Sequence, residues 1–229
     1  MAITTVLLDG GGVIVDESEL ENVRGEIIAE TLTAVAPGYS LEQYWADIDE
    51  AVSLFCTNVY EYVIWKHSTN DRTLFDNLYS AHTERWKERQ PPLKLSDGFD
   101  IEAKRICQRY KMVNAGQYGR EILDLLAEHS LLNCFAIHLT QDDFAITKPD
   151  PRYYEQIVAR AHAEPSECIM VGDRIDKDVI PAKQLGMKTI MIRSGIHRNQ
   201  QPRVPSEIPD IELPTVRGLA DAIDRIAKL

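Results

Sequence analysis

Five short apolar runs punctuate the chain: Thr4–Leu8, Tyr110–Val113, Phe135–Leu139, Cys168–Val171 and Thr189–Ile192. Each is too short for a helix and is bounded by turn-forming or charged residues, which predicts five strands. From the second run onward, helical stripes separate them. In Arg120–Ser130, Ile122, Leu125 and Leu126 share one face. In Pro151–Ala163, Tyr154, Ile157, Val158 and Ala161 follow i, i+3, i+4, i+7 spacing. Asp150 stands at the N-cap of that helix and Pro151 at its first position. Strand and helix in alternation predict an α/β fold, a doubly wound, mainly parallel sheet with both faces covered.

The stretch between the first two strands breaks this rhythm. It carries helix signals and no convincing strand pair. Ser18 with Glu21, and Ser40 with Gln43, have capping-box spacing. The stripes Leu20, Val23, Ile27, then Tyr44, Ile48, Val52, Phe55, then Leu74, Leu78 follow them, and Trp45, Trp65 and Trp86 all fall here as packing residues. The expected organisation is a core domain of residues 1–15 and 110–229, with a helical insert at 16–109 placed to cover the first turn. Gln201–Pro214 reads as a surface loop with at most one short strand, before a last helix over Thr215–Ala227.

Composition narrows the function. The formal charge of −11 lacks the basic footprint that nucleic acid requires, but it leaves room for a small anion in a locally positive pocket. No run of 18 apolar residues suggests a membrane span, and the first residues lead straight into a strand, so a cytoplasmic protein is expected. Cys56, Cys107, Cys134 and Cys168 have no CxxC spacing and are expected to be buried small hydrophobes. His67, His82, His129, His138, His162 and His197 show no ligand spacing, and packed or solvated roles are expected for each.

Chemistry concentrates at strand ends. Val6-Leu7-Leu8-Asp9-Gly10-Gly11-Gly12-Val13 is a strand stopping on a carboxylate at a glycine turn, the position where open α/β sheets bind ligands. Cys168-Ile169-Met170-Val171-Gly172-Asp173 repeats the pattern, and Asp178 follows after a short turn. Thr147-Lys148-Pro149-Asp150-Pro151 places a lysine just before a helix, where it can hold a phosphate or fix a carboxylate. Carboxylates at two strand ends offer Mg²⁺ the hard oxygen ligands it prefers.

In order and spacing these segments resemble the haloacid dehalogenase-like (HAD-like) hydrolases, most of them Mg²⁺-dependent phosphatases. The resemblance implies strand order 5-4-1-2-3 and an α-helical cap inserted after the first motif. It implies Asp9 as the nucleophile that forms an aspartyl-phosphate, and Lys148 as the cation that neutralises nucleophile and phosphoryl oxygens. Asp9, Asp173, Asp178 and the backbone carbonyl of Gly11 would be the metal site. Gly10, Asn114, Gly116 and Lys148 would bind phosphate.

Two positions depart from the pattern. A second aspartate, the general acid and base of the family's phosphatases, is replaced by Gly11. The Ser or Thr of the second motif is also missing. Met112-Val113-Asn114-Ala115-Gly116-Gln117 is the better alignment for that motif, because Thr140 lies too close to Lys148 to leave room for a helix and strand. The expected function is hydrolysis of a small phosphorylated metabolite by a monomer or homodimer. The alternatives are a catalytically weakened phosphate-binding or interaction protein, or a C–P or C–halogen hydrolase with Lys66 as a conceivable Schiff-base lysine. His197 and Arg198 are read as loop residues.

Overall fold

A computed structural model describes residues 2–228. The chain divides into two compact units. One joins the residues up to Asp16 with those from Leu93 onward, and the other is Glu17–Pro92.

The first unit is built on a six-stranded parallel sheet of β1 (Thr5–Leu8), β2 (Lys111–Asn114), β3 (Phe135–Ile137), β4 (Cys168–Gly172), β5 (Lys188–Ile192) and β6 (Ile211–Leu213), in the order β3-β2-β1-β4-β5-β6. This is the expected five-strand order read from the other edge, with the short tail strand added. β1 is the innermost run: Val6, Leu7 and Leu8 are fully buried. Covered on both faces, it has no polar alternation, which is why it reads as a continuous apolar stretch. Leu8 pairs with Asn114 on one side and with Val171 on the other. Asp9 and Ala115 therefore leave the sheet level with Gly172, the last residue of β4, and Asp173 follows at the same edge, at the β1/β4 point where strand order reverses.

The helix α7 (Pro151–Arg160) starts with Asp150 as N-cap and Pro151 in its first turn, as its sequence predicts. Its stripe of Tyr154, Ile157 and Val158 packs with Leu7, Val113 and Met170 in one core cluster. The helix α6 (Glu121–Glu128) buries Ile122, Leu125 and Leu126.

The expected insert proves too long at its far end. The helix α5 (Phe99–Ile106) belongs to the sheet unit, where it packs on the terminal helix α9 (Leu219–Ile226). The Glu102 carboxylate accepts from the N–H groups of Gly218 and Ala220, capping α9, and Arg105 pairs with Asp221. These long-range links leave no local mark in the sequence.

The second unit holds α1 (Ser18–Leu32), α2 (Leu41–Ser53), α3 (Val59–Lys66) and α4 (Arg72–Arg89). The capping box predicted at Ser40/Gln43 is present at α2. The one predicted at Ser18/Glu21 is not: α1 begins after Glu17 without a side-chain cap, because Glu21 is buried and bonded to the Tyr60 hydroxyl instead. The cysteines are less buried than expected. Only Cys168 is buried, and the Cys107 and Cys134 sulfurs lie 2.8 Å apart.

Candidate active site

The carboxyl end of β1 delivers Asp9 into a turn whose hydrogen bonding is uneven. The Gly10 carbonyl accepts from the N–H groups of Ile14 and Val15, and the Gly12 carbonyl accepts from the Ser194 hydroxyl at 2.7 Å. Among the described residues, the Gly11 carbonyl accepts no hydrogen bond, and the N–H groups of Gly10 and Gly11 donate none. An acceptor and two donors thus stay available beside Asp9.

Lys148, just upstream of α7, is buried and reaches two carboxylates at once. Its Nζ donates to Asp9 Oδ1 at 2.7 Å and to Asp178 Oδ1 at 2.6 Å. Burial alone would lower the lysine's pKa, but Asp178 and Asp9 outweigh it and hold the ammonium charged, well above the ordinary range. Asp178 is fixed from other sides by the Tyr154 hydroxyl at 3.1 Å and the Arg174 N–H at 3.1 Å. Gly172 makes room for it: a Cβ there would fall inside the Asp178 carboxylate. Burial, then the neighbouring Asp9, push the Asp178 carboxyl upward.

Oxygens of Asp9, Asp173 and Asp178 lie within 4.8 Å of one another. Lys148 bridges two of these carboxylates, and the Arg174 charge also acts on Asp173 and Asp178. An all-oxygen set with the Gly11 carbonyl beside it suits a hard divalent cation such as Mg²⁺.

The second-motif residues are placed beside Asp9 but are engaged differently from expectation. The Asn114 side chain is buried, donating to the Leu139 carbonyl at 2.8 Å and accepting from the Gly116 N–H at 3.0 Å. Asn114 and the Gly116 amide therefore brace the loop instead of presenting free donors. Gly116 is there for close approach, since a Cβ would stand 2.5 Å from the Gly10 nitrogen. Tyr153 secures the same loop, its hydroxyl donating to the carbonyls of Ala115 and Gly116.

Three other residues weighed in the sequence make other contacts. Thr140 caps the turn at Gln141–Asp143 with Asp143. Lys66, in the helical unit, pairs with Asp47 at 2.6 Å and with Glu50, and these partners raise its pKa, so it is held as a cation with no free lone pair for a Schiff base. His197 is buried, and its pKa is depressed first by burial and then by Arg174.

A HAD-hydrolase-like family model matches residues 145–219, the segment that carries Lys148, Asp173 and Asp178. Solved structures extend the likeness over the whole chain. A haloacid dehalogenase-like protein of Agrobacterium tumefaciens superposes with a TM-score of 0.71 at 19% identity, covering 98% of this chain and 99% of its own. Over residues 145–219 the chain is similar to the HAD-hydrolase-like family, and it shares the fold of these structures. Another HAD-like structure, a Bacillus subtilis HAD-hydrolase bound to magnesium, gives a TM-score of 0.68 at 17% identity over 98% of this chain and 100% of its own. Among curated relatives, a glyceraldehyde 3-phosphate phosphatase of Methanopyrus kandleri is 34% identical over 87 residues, 38% of this chain and 37% of that protein. A phosphoserine phosphatase of Thermus thermophilus is 31% identical over 118 residues, 51% of this chain and 40% of that protein. The matches thus span well under half the length of these relatives.

Sequence reasoning missed Tyr154 and Ser194. Tyr154 was absorbed into an apolar stripe, though its phenol end reaches Asp178 and the Lys177 carbonyl. Ser194 bonds across to Gly12 from a position 182 residues away in sequence.

Proposed function

We propose that this chain is a Mg²⁺-dependent phosphohydrolase acting on a small phosphorylated metabolite through Asp9. The observation that carries the reading is the bridging of Asp9 and Asp178 by the Lys148 ammonium, with Asp173 in the same oxygen cluster. Asp9, Asp173 and the Gly11 carbonyl would hold the metal, with Asp178 adjoining. When bound, Mg²⁺ supplies positive charge against the phosphoryl oxygens.

An Asp9 oxygen attacks phosphorus, and the bond from phosphorus to the leaving oxygen breaks. Lys148 keeps the nucleophile oriented and offsets charge on the phosphoryl group, while the free N–H groups of Gly10 and Gly11 are donors for its oxygens. Water then attacks the same phosphorus, the bond to Asp9 breaks, and inorganic phosphate leaves with the carboxylate restored. The leaving oxygen must gain a proton in the first half, and the water must lose one in the second. Gly11 has no side chain to carry either.

General acid–base catalysis is typically worth ~10²–10⁴-fold. Aryl and acyl phosphates, whose leaving groups are stable anions, should therefore turn over at least ~10²-fold faster in kcat/KM than simple alkyl phosphates. The test is p-nitrophenyl phosphate and acetyl phosphate against glycerol phosphate, in wild type and Gly11→Asp. Positive φ in the turn falls on Gly12, so a side chain at residue 11 meets no left-handed backbone strain. The variant should narrow the gap. Equal rates on both substrate classes in the wild type would contradict this assignment of Gly11. Turnover of none of them, with phosphate still bound, would favour a binding protein.

A further inference from the structure

Two of the four cysteines, 27 residues apart in sequence, meet in the sheet unit: the Cys107 thiol donates to the Cys134 sulfur at 2.8 Å. The backbone on each side fixes this contact. Cys107 closes α5, its N–H donating to the Ala103 carbonyl at 2.9 Å. Cys134 stands immediately before β3, its N–H donating to the Leu131 carbonyl at 2.8 Å. Phe135 pairs with Met112 across the parallel β2/β3 ladder, so Cys134 enters the sheet beside the start of β2, just after the turn that carries Cys107. Both cysteines thus belong to the amino ends of these strands, whereas Asp9 follows the carboxyl end of β1.

The pair is open to small reagents. Both cysteines are half-buried, and they line one cavity of about 410 Å³ with Gln108, Arg109, Lys111 and Asn133. Cys168, by contrast, is buried, and its thiol donates to the Glu164 carbonyl at 3.2 Å. A disulfide bond is ~2.05 Å long, so the two sulfurs need to close by less than ~1 Å to form one. Burial, then the Cys107 neighbour, push the Cys134 thiol up to about 11, which keeps it protonated near pH 7. Attack by sulfur requires the thiolate, so the first step falls to Cys107 and the closing step to Cys134.

We propose that Cys107 and Cys134 are a redox-active dithiol, a modification site at which a peroxide closes a reversible disulfide. The Cys107 thiolate attacks one oxygen of hydrogen peroxide, the O–O bond breaks, and the departing hydroxide takes up a proton as water. The Cys134 sulfur then attacks the sulfenic acid formed on Cys107. The S–O bond breaks, and the hydroxide leaves with the Cys134 proton as a second water. Two thiols lose two electrons in total, and one peroxide becomes two waters. A dithiol reductant returns both thiols by exchange. The new bond closes a loop containing β2 and α6 and ties the end of α5 to the start of β3. It does not depend on the role assigned to Asp9.

The test treats the reduced full chain with equimolar hydrogen peroxide, alkylates it, and analyses an unreduced digest by peptide mass. The Cys107 and Cys134 peptides should appear joined, with two alkylatable thiols lost, and dithiothreitol should restore them. This product should form about tenfold or more faster than oxidation at Cys56 or Cys168. In Cys134→Ser, dimedone should trap a sulfenic acid on Cys107, about tenfold or more faster than it labels Cys134 in Cys107→Ser. The cross-link itself is read in the wild type, so it stands apart from the folding of either variant. Four alkylatable thiols remaining in the wild type, a cross-link to a different cysteine, or equally fast oxidation of Cys56 or Cys168 would overturn the proposal. Equal labelling of the two variants would overturn the order of attack.

Discussion

The molecule contains two buried polar clusters built on opposite terms. In the sheet unit, Lys148 sits between Asp9 and Asp178, and Asp178 is further held by Tyr154 and the Arg174 backbone. In the helical unit, Glu21, Arg24, Tyr44 and His82 leave five buried polar atoms unpaired among the described residues. The first cluster is cross-braced and its parts depend on one another. The second bears a desolvation cost that its own residues do not repay. The contrast has an experimental consequence: deletions in the first should cost stability, and deletions in the second should return some.

The largest effect belongs to Lys148→Met. It strands buried like charges, and removing one partner of a buried ion pair typically costs ~3–5 kcal/mol. Chemical denaturation should show a loss of that order, with turnover reduced to near background. A variant of native stability would mean that the carboxylates do not rely on the lysine.

His82 comes next and works in the other direction. Its folded-state pKa of about 4 lies below the unfolded value of ~6.5, so the neutral ring is compatible with the fold and its protonation is not. Its contribution is fully present above pH ~6.5 and is lost as pH falls toward 4, in total roughly 3 kcal/mol by proton linkage. His82→Leu should therefore gain on the wild type by about that amount between pH 7 and pH 4, measured as the difference in unfolding free energy. A difference that does not change with pH would show that His82 is not held neutral by burial.

Gly172→Ala sharpens the first half of the contrast. Its methyl group must displace the Asp178 carboxylate, and overpacking of this kind costs ~1–3 kcal/mol. Thermal unfolding should fall accordingly, and the activity loss should exceed what the lost stability explains.

Tyr44→Phe is the smallest effect and the most diagnostic of the second cluster. Removing an unpaired hydroxyl from a fully buried ring should leave stability unchanged or raise it by up to ~1 kcal/mol. A loss above ~1 kcal/mol would reveal a partner for that hydroxyl and remove the contrast.

What was legible in the sequence follows the reach of local signals. Asp9, Asp173, Asp178 and Lys148 stood out because each lies at the end of an apolar run or the start of a helix, and parallel strands bring such ends to one edge. Strand identities were readable for the same reason. The role of Asn114 was not, because its partner Leu139 lies on a different segment and only pairing shows that its amide is spent. The helix α5 was assigned to the insert because no strand separates it from the preceding helices; Glu102 and Arg105 declare its allegiance only through α9. The Arg24 cluster was least visible. A stripe analysis sends polar residues to solvent, so Glu21 read as a capping partner and Trp86 as packing, while in the structure Glu21 is buried and the Trp86 ring lies against the Arg24 guanidinium.

The central claim is that Asp9 takes up the phosphoryl group. With no carboxylate at residue 11 to activate water, the second half-reaction is the slower one for an activated substrate, and the phosphorylated enzyme should accumulate. Wild type and Asp9→Asn are mixed with acetyl phosphate and Mg²⁺, quenched in acid within the first turnovers, digested and analysed by peptide mass. The account predicts one phosphoryl group on the peptide containing Asp9 in the wild type, and none in Asp9→Asn. Phosphate release by the wild type with that peptide unmodified, or by Asp9→Asn at a comparable rate, would contradict it.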